Sequence, residues 1–167
     1  MVRELFKPEQ YLAISIAEQL LRIHDAGIVT QQYPVSTAKN GPGTLRGSEC
    51  TPIGWHKIRA KIGADQPLNS VFVGRRPTGE LYSSALAAEF PQRDWILTRI
   101  LWLNGLEPGT NRYGEVDSGW RYIYIHGCPD HCPMGVPESH GCIRMHNLDL
   151  IDLFDRVFPG MLVYIDA

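Results

Sequence analysis

Through the opening part of the chain, apolar side chains recur at every second position, a period that a strand can use and a helix cannot. In residues 11–17, Leu12, Ile14 and Ile16 fall on one side and Ala13, Ser15 and Ala17 on the other. That alternation marks a half-buried strand. Leu20-Leu21-Arg22-Ile23 follows, then the turn residues Asp25-Ala26-Gly27, then a third run over Ile28–Thr37. Three short strands joined by tight turns predict an antiparallel meander.

Residues 38–54 are rich in glycine and proline and end in Thr51-Pro52-Ile53-Gly54, so they read as a loop. Trp55–Ile62 and Val71–Val73 read as further strands, and Arg76-Pro77-Thr78-Gly79 as a turn. Asp94 stands where a helix cap would stand. The apolar surface of Trp95, Ile96, Leu97, Ile100, Leu101 and Leu103 ends at Asn104-Gly105, so the spacing predicts a buried capping helix over 94–104. Trp120–His126 reads as a strand that turns Tyr122, Tyr124 and His126 to one face and Ile123 and Ile125 to a core. Asn147 is positioned to cap a second helix through Val157, with Leu150, Ile151, Phe154 and Val157 inward. Pro159-Gly160 ends it, and Met161–Ile165 closes the chain as a strand. With 167 residues and no internal repeat, the expectation is one domain over residues 1–167, mostly β, with two helices.

Charge removes one class of function. The formal net charge is −2 and no basic run occurs, so a nucleic-acid partner has no electrostatic footing. No stretch is long and apolar enough to span a bilayer, so a membrane partner is not expected. At the N-terminus Arg3 and Lys7 are offset by Glu4 and Glu9, and the apolar run to Ala17 is short and stops at Glu18. This is not the pattern of an export leader. A cytoplasmic protein is expected if Met1 is the native start, and a periplasmic one if Met1 replaces a removed signal peptide.

Four of the six histidines and three of the four cysteines crowd into residues 126–147. Such crowding serves either a metal or a cysteine nucleophile with its base. Cys142 lies in Ser139-His140-Gly141-Cys142-Ile143-Arg144, with imidazole and guanidinium close by and a glycine that frees main-chain N–H groups for an oxyanion. His126 ends its strand sixteen residues earlier, and a backbone carbonyl is expected to orient its ring, since no carboxylate is evident nearby. His140, two residues from Cys142, is the competing base, but geometry rather than sequence distance defines such a pair. Arg144 reads as charge support for a thiolate or a substrate carboxylate. On the metal side, Cys128, His131 and Cys132 have ligand-like spacing but lack a clear fourth ligand. A Cys128–Cys132 disulfide needs an exported protein, and two ordinary loop thiols is the simplest reading. Cys50, His24, His56 and His146 read as structural. No metal or other cofactor is expected.

The run His126-Gly127 followed by Ser139-His140-Gly141-Cys142-Ile143-Arg144-Met145 resembles the signature of the L,D-transpeptidase catalytic domain (YkuD) family. Thr51-Pro52-Ile53-Gly54 resembles that family's second hallmark, and the likeness spans roughly residues 10 to 167. It implies a β-sandwich or barrel-like sheet system capped by a helix. It also implies a cysteine enzyme that attacks peptidoglycan stem peptides between a diamino acid and the terminal D-alanine, forming a thioester. Cys142 would be the nucleophile and His126 the base, oriented by the carbonyl of Gly127. Ser139, His140, Gly141 and Arg144 would shape the pocket, the N–H groups of Gly141 and Cys142 would hold the oxyanion, and Tyr124 would face the same site. Carbapenem-type inhibitors would acylate it. The expected reaction is L,D-carboxypeptidase trimming of free muropeptides in cytoplasmic recycling. The alternatives are a periplasmic transpeptidase forming 3-3 cross-links and a non-catalytic, zinc-stabilised binding module.

Overall fold

The structure, a computed structural model, describes residues 8–167. Arg3, Glu4 and Lys7, on which the reading of the N-terminal segment rests, lie outside the described residues. The meander is present: β1 (Gln10–Ser15), β2 (Leu20–Asp25) and β3 (Ile28–Pro34) pair antiparallel in sequence order. The third strand ends at Pro34 rather than Thr37. The last strand, β10 (Leu162–Asp166), lies parallel to β1 and antiparallel to β4 (Gly54–Ile62), so the two ends of the domain are adjacent in one sheet.

The stretch expected to form the capping helix is instead β7 (Ile96–Gly105), an interior strand of the sheet and its branch point. It pairs antiparallel with β4 and with β5 (Ser70–Val73), and also with β8 (Tyr124–Gly127). A strand covered on both faces carries apolar residues at nearly every position, so its sequence loses the period-two signal and mimics a buried helix. A bulge at Thr98, whose φ is +75°, shifts the parity further. Gly105 is no helix stop. A Cβ there would stand 1.9 Å from the carbonyl oxygen of Asn111, so only glycine fits.

The residues expected to turn at 76–79 belong to strand β6 (Arg76–Leu81), and the chain reverses one step earlier, at Gly74-Arg75. Both have positive φ, 57° and 64°, as a two-residue type I′ hairpin requires. Between β6 and β7 runs a short helix, α1 (Ser84–Glu89), whose Ser83 side chain accepts from the Leu86 amide at 3.1 Å. The second helix, α2 (Asn147–Arg156), is where the sequence places it, packed on β7 and β8. Leu153 rather than Ile151 completes its buried face with Leu150 and Phe154, and the cap position is His146.

The main core joins Leu12, Ile14, Leu21, Val163 and Ile165 to Leu101, Leu103, Ile125 and Ile143, closed by the α2 face. Each such buried side chain contributes on the order of 1.5–3 kcal/mol. Among the described residues the domain is therefore mostly β with two α-helices, in one hydrogen-bonded sheet that branches at β7. The branch carries β8 and β9 (Ile143–Met145), which pair parallel and present the residues of the 126–147 stretch.

Candidate active site

Parallel pairing sets Ile125 beside Ile143 and His126 beside Arg144. Ile125 and Ile143 face the core, so Tyr124 and His126 on β8 share the opposite face with Cys142 and Arg144. Neighbouring strands run about 4.8 Å apart, so His126 and Cys142 are one diagonal step from each other. The parity read from the sequence holds for Tyr124 and His126. Tyr122 lies outside the strand, in a turn with φ of +55°.

His126 is buried, and its Nδ1 lies 2.7 Å from the Gly127 carbonyl oxygen. A carbonyl only accepts, so the proton sits on Nδ1 and Nε2 carries the lone pair. Nε2 has no protein partner, and no buried side-chain N or O among the described residues is left unpartnered, so Nε2 reaches the surface of the site. Burial holds the imidazole pKa below its ordinary value and Arg144 adds to this, against the Gly127 carbonyl and the charge of Asp94. The ring is a neutral base at neutral pH.

The partly exposed Cys142 thiol donates to the Tyr122 carbonyl at 3.4 Å and accepts from the Tyr124 amide at 3.3 Å. Burial pushes it up to about 11. The Tyr124 amide, Arg144 and Arg121 pull it down, and Asp94 pushes it up. The resting pair is thus a neutral thiol beside a neutral imidazole. Such a pair works by general-base transfer during attack rather than through a preformed thiolate.

The turn before Cys142 is held by three hydrogen bonds from two side chains. Thr51 Oγ1 accepts from the Ala38 amide and donates to the Gly141 carbonyl, both at 2.9 Å, which ties the Thr51–Gly54 loop to the turn before Cys142. The Ser139 hydroxyl donates to the Cys142 carbonyl and accepts from the Gly141 amide. Ser139 is buried and serves the turn rather than lining the pocket. The Gly141 amide is already engaged, whereas the Cys142 amide has no protein acceptor among the described residues and keeps its N–H unspent, as an oxyanion donor requires. The Tyr124 phenol is held by Arg75 at 3.0 Å, so this residue meets Cys142 through its main chain.

Two openings meet at His140. A groove of about 570 Å³ is lined by Asp94, Cys128, His131, Cys132, His140 and Arg144. A smaller pocket of about 250 Å³ holds Cys142, His140, Tyr122, Arg121, Arg46 and Glu49. His140 is exposed, with Nδ1 3.7 Å from Asp94, so it sits on the rim and not behind the thiol. A further cavity of about 360 Å³, with Tyr11, Trp55 and Tyr164 in its wall, contains none of these residues.

Sequence reasoning missed Asp94, which pairs with Arg144 at 3.4 Å and was expected to cap a helix. It also missed Asn147, read as a cap. That buried amide accepts from Thr98 Oγ1 at 2.7 Å and donates to the Cys128 carbonyl at 2.8 Å and to Asp130 at 3.1 Å. It packs so closely that a Cβ on Gly127 would stand 2.2 Å from its Oδ1, which explains the glycine that follows His126. Among the described residues no three His, Cys, Asp or Glu side chains converge as metal ligands, and Cys128, His131 and Cys132 line the larger groove beside Arg144. His56 is buried between the Gly54 carbonyl and the Ser118 hydroxyl, at 3.0 and 2.8 Å.

A thiol and an open imidazole nitrogen on adjacent strands, with a free amide at the thiol's own residue, form the kind of site that acyl transfer through a thioester uses. Residues 9–165 match the L,D-transpeptidase catalytic domain family (YkuD), and the chain belongs to it. No protein of curated function matches the chain in sequence. Among solved structures, an L,D-transpeptidase from Mycobacterium smegmatis is 18% identical with a TM-score of 0.57, covering 95% of this chain and 59% of its own. L,D-transpeptidase 3 from Mycobacterium tuberculosis, in complex with a faropenem-derived adduct, is 16% identical with a TM-score of 0.56, covering 96% and 61%. A third L,D-transpeptidase, in complex with imipenem, is 18% identical with a TM-score of 0.55, covering 94% and 58%. These likenesses show a shared fold, and the chain spans about three fifths of the length of these relatives.

Proposed function

We propose that the chain is a cysteine L,D-carboxypeptidase that removes D-alanine from tetrapeptide stems of peptidoglycan. The observation that carries the reading is the shared face of β8 and β9. It sets Cys142 beside a histidine whose Nδ1 is fixed by Gly127 and whose Nε2 is open. His126 Nε2 takes the thiol proton as Sγ attacks the carbonyl of the diamino acid, and the Cys142 N–H meets the oxyanion. The tetrahedral intermediate collapses, the amine of D-alanine takes the proton from His126, and a thioester remains. Water, deprotonated by the same nitrogen, releases the tripeptide and restores the thiol.

Trimming rather than cross-linking is favoured by the small size of the pocket at Cys142, which offers little room for the long side chain of a second stem as acceptor. Free muropeptides in the cytoplasm are the proposed substrates, and four free thiols suit a reducing compartment. The two solved relatives in complex with faropenem-derived and imipenem ligands support acylation of Cys142 by carbapenem-type inhibitors. Incubation with tetrapeptide muropeptides tests the reaction: tripeptide and free D-alanine are expected, while cross-linked dimers as the main product would make the protein a transpeptidase. Fractionation of cells tests the compartment, with the protein expected in the cytosolic fraction and not in the periplasmic one.

A further inference from the structure

Arg121, in the turn before β8, is a partly buried cation with no anion of its own. Its Nη1 donates to the carbonyls of Gly43 and Thr44 at 3.3 and 3.2 Å, and its Nη2 to the carbonyl of Cys50 at 2.7 Å. A guanidinium has five N–H donors, so these three bonds leave two unused. No carboxylate pairs with it among the described residues. Burial holds its pKa below the ordinary arginine value, as expected for a charge stripped of water without an anion in return.

Its position is next to the chemistry. Nη2 lies 4.0 Å from the place a Cβ on Gly141 would occupy, and Arg121 shares the pocket of about 250 Å³ with Cys142. Arg46 lines the same pocket and Glu49 is its one acid, so two arginines face one carboxylate there. The neighbouring groove of about 570 Å³ has the room for the longer, acyl side of a stem peptide. The smaller pocket then falls to the residue that leaves. A guanidinium held by three carbonyls is already oriented, so little freedom is lost when a carboxylate docks on its remaining N–H groups.

We infer that the small pocket is the subsite of the leaving residue and that Arg121 binds its free terminal carboxylate. The enzyme thereby selects stems that end in D-alanine over the same peptides amidated at that end. This rests on the carboxypeptidase reading for its substrate, but its test does not need turnover. The probe is calorimetric binding to the Cys142→Ala protein of two tetrapeptides, one ending in D-alanine and one in D-alaninamide.

The acid is expected to bind about tenfold to a hundredfold more tightly, the range set by one charge-assisted hydrogen-bonded contact. Adding Arg121→Gln removes that gap, while Arg121→Lys, which keeps the charge and guards against misfolding, retains part of it. Equal binding of acid and amide, binding of neither, or a gap that survives in folded Arg121→Gln overturns the inference. A purely structural role would weaken both peptides alike and is thereby separated. If discrimination holds while the wild-type protein releases no D-alanine, the carboxypeptidase reading fails and the carboxylate subsite stands.

Discussion

Replacing Asn147 by alanine is expected to damage both stability and catalysis, although the residue touches neither Cys142 nor the His126 ring. The side chain is buried: its Oδ1 accepts from Thr98, and the two N–H groups of Nδ2 are shared among the Cys128 carbonyl, Asp130 and Asn69. Alanine strands the Thr98 hydroxyl and the Cys128 carbonyl, both buried, at roughly 1–3 kcal/mol each. The Asp130 and Asn69 bonds are nearer solvent and are recovered by water. The loss comes to about 4 kcal/mol, which for a domain of this size lowers Tm by on the order of 10 °C. Asn147 Oδ1 also packs against Gly127, so its removal frees the carbonyl that holds His126 Nδ1. We therefore expect kcat to fall at least about tenfold with KM little changed, as for loss of a transition-state contact. Asn147→Asp keeps the acceptor for Thr98 but brings a carboxylate against Asp130, so it should not rescue. Urea and thermal unfolding with steady-state kinetics measure both effects. A Tm shift below about 2 °C with unchanged kcat would refute the reasoning.

Two other expectations follow from buried titrating groups. Burial holds His56 down to about 4 from 6.5, so the unfolded chain binds the extra proton first as pH drops. The stability this histidine contributes is complete above about pH 6.5 and is lost on the way down to about pH 4, by about 3 kcal/mol, with His126 acting in the same sense. Urea midpoints should fall across that window in the wild type and less so in His56→Gln; a profile no flatter in the variant contradicts the assignment. The two other thiols of the stretch split: Cys128 is pushed up, as Cys142 is, and Cys132 is drawn down. The hydrogen bond from Cys128 holds Cys132 below the ordinary thiol value, while Cys142 is pushed up to about 11. At about pH 7 iodoacetamide should therefore label Cys132 ahead of Cys142, an order that peptide mapping reads and that prior labelling of Cys142 would reverse.

What the sequence made legible was period and parity. Alternation gave β1, short apolar runs between turn residues gave β2, β4 and β10, the apolar spacing of Leu150 and Phe154 gave α2, and parity put Tyr124 and His126 on one face. Periodicity failed where burial is two-sided: β7 reads as a helix because Leu97, Ile100, Leu101 and Leu103 are all buried around a bulge. The placement of Cys142, His126 and Gly127 side by side was legible because one segment carries all three. Thr51 acquires its role only in three dimensions, through a bond to Gly141 ninety residues away. The same holds for Asp94, Asn147 and Arg121, whose partners lie on distant segments. No local spacing encodes such contacts.

The central claim, a Cys142 nucleophile served by His126, is tested most directly by acylation with imipenem followed by intact-mass and peptide-mapping spectrometry. A single adduct on the peptide that contains Cys142 is expected. No adduct is expected in Cys142→Ala, and a rate at least about a hundredfold lower in His126→Ala, the scale of a lost general base. An adduct on Cys132 or Cys50, no adduct at all, or an undiminished rate without His126 would contradict it.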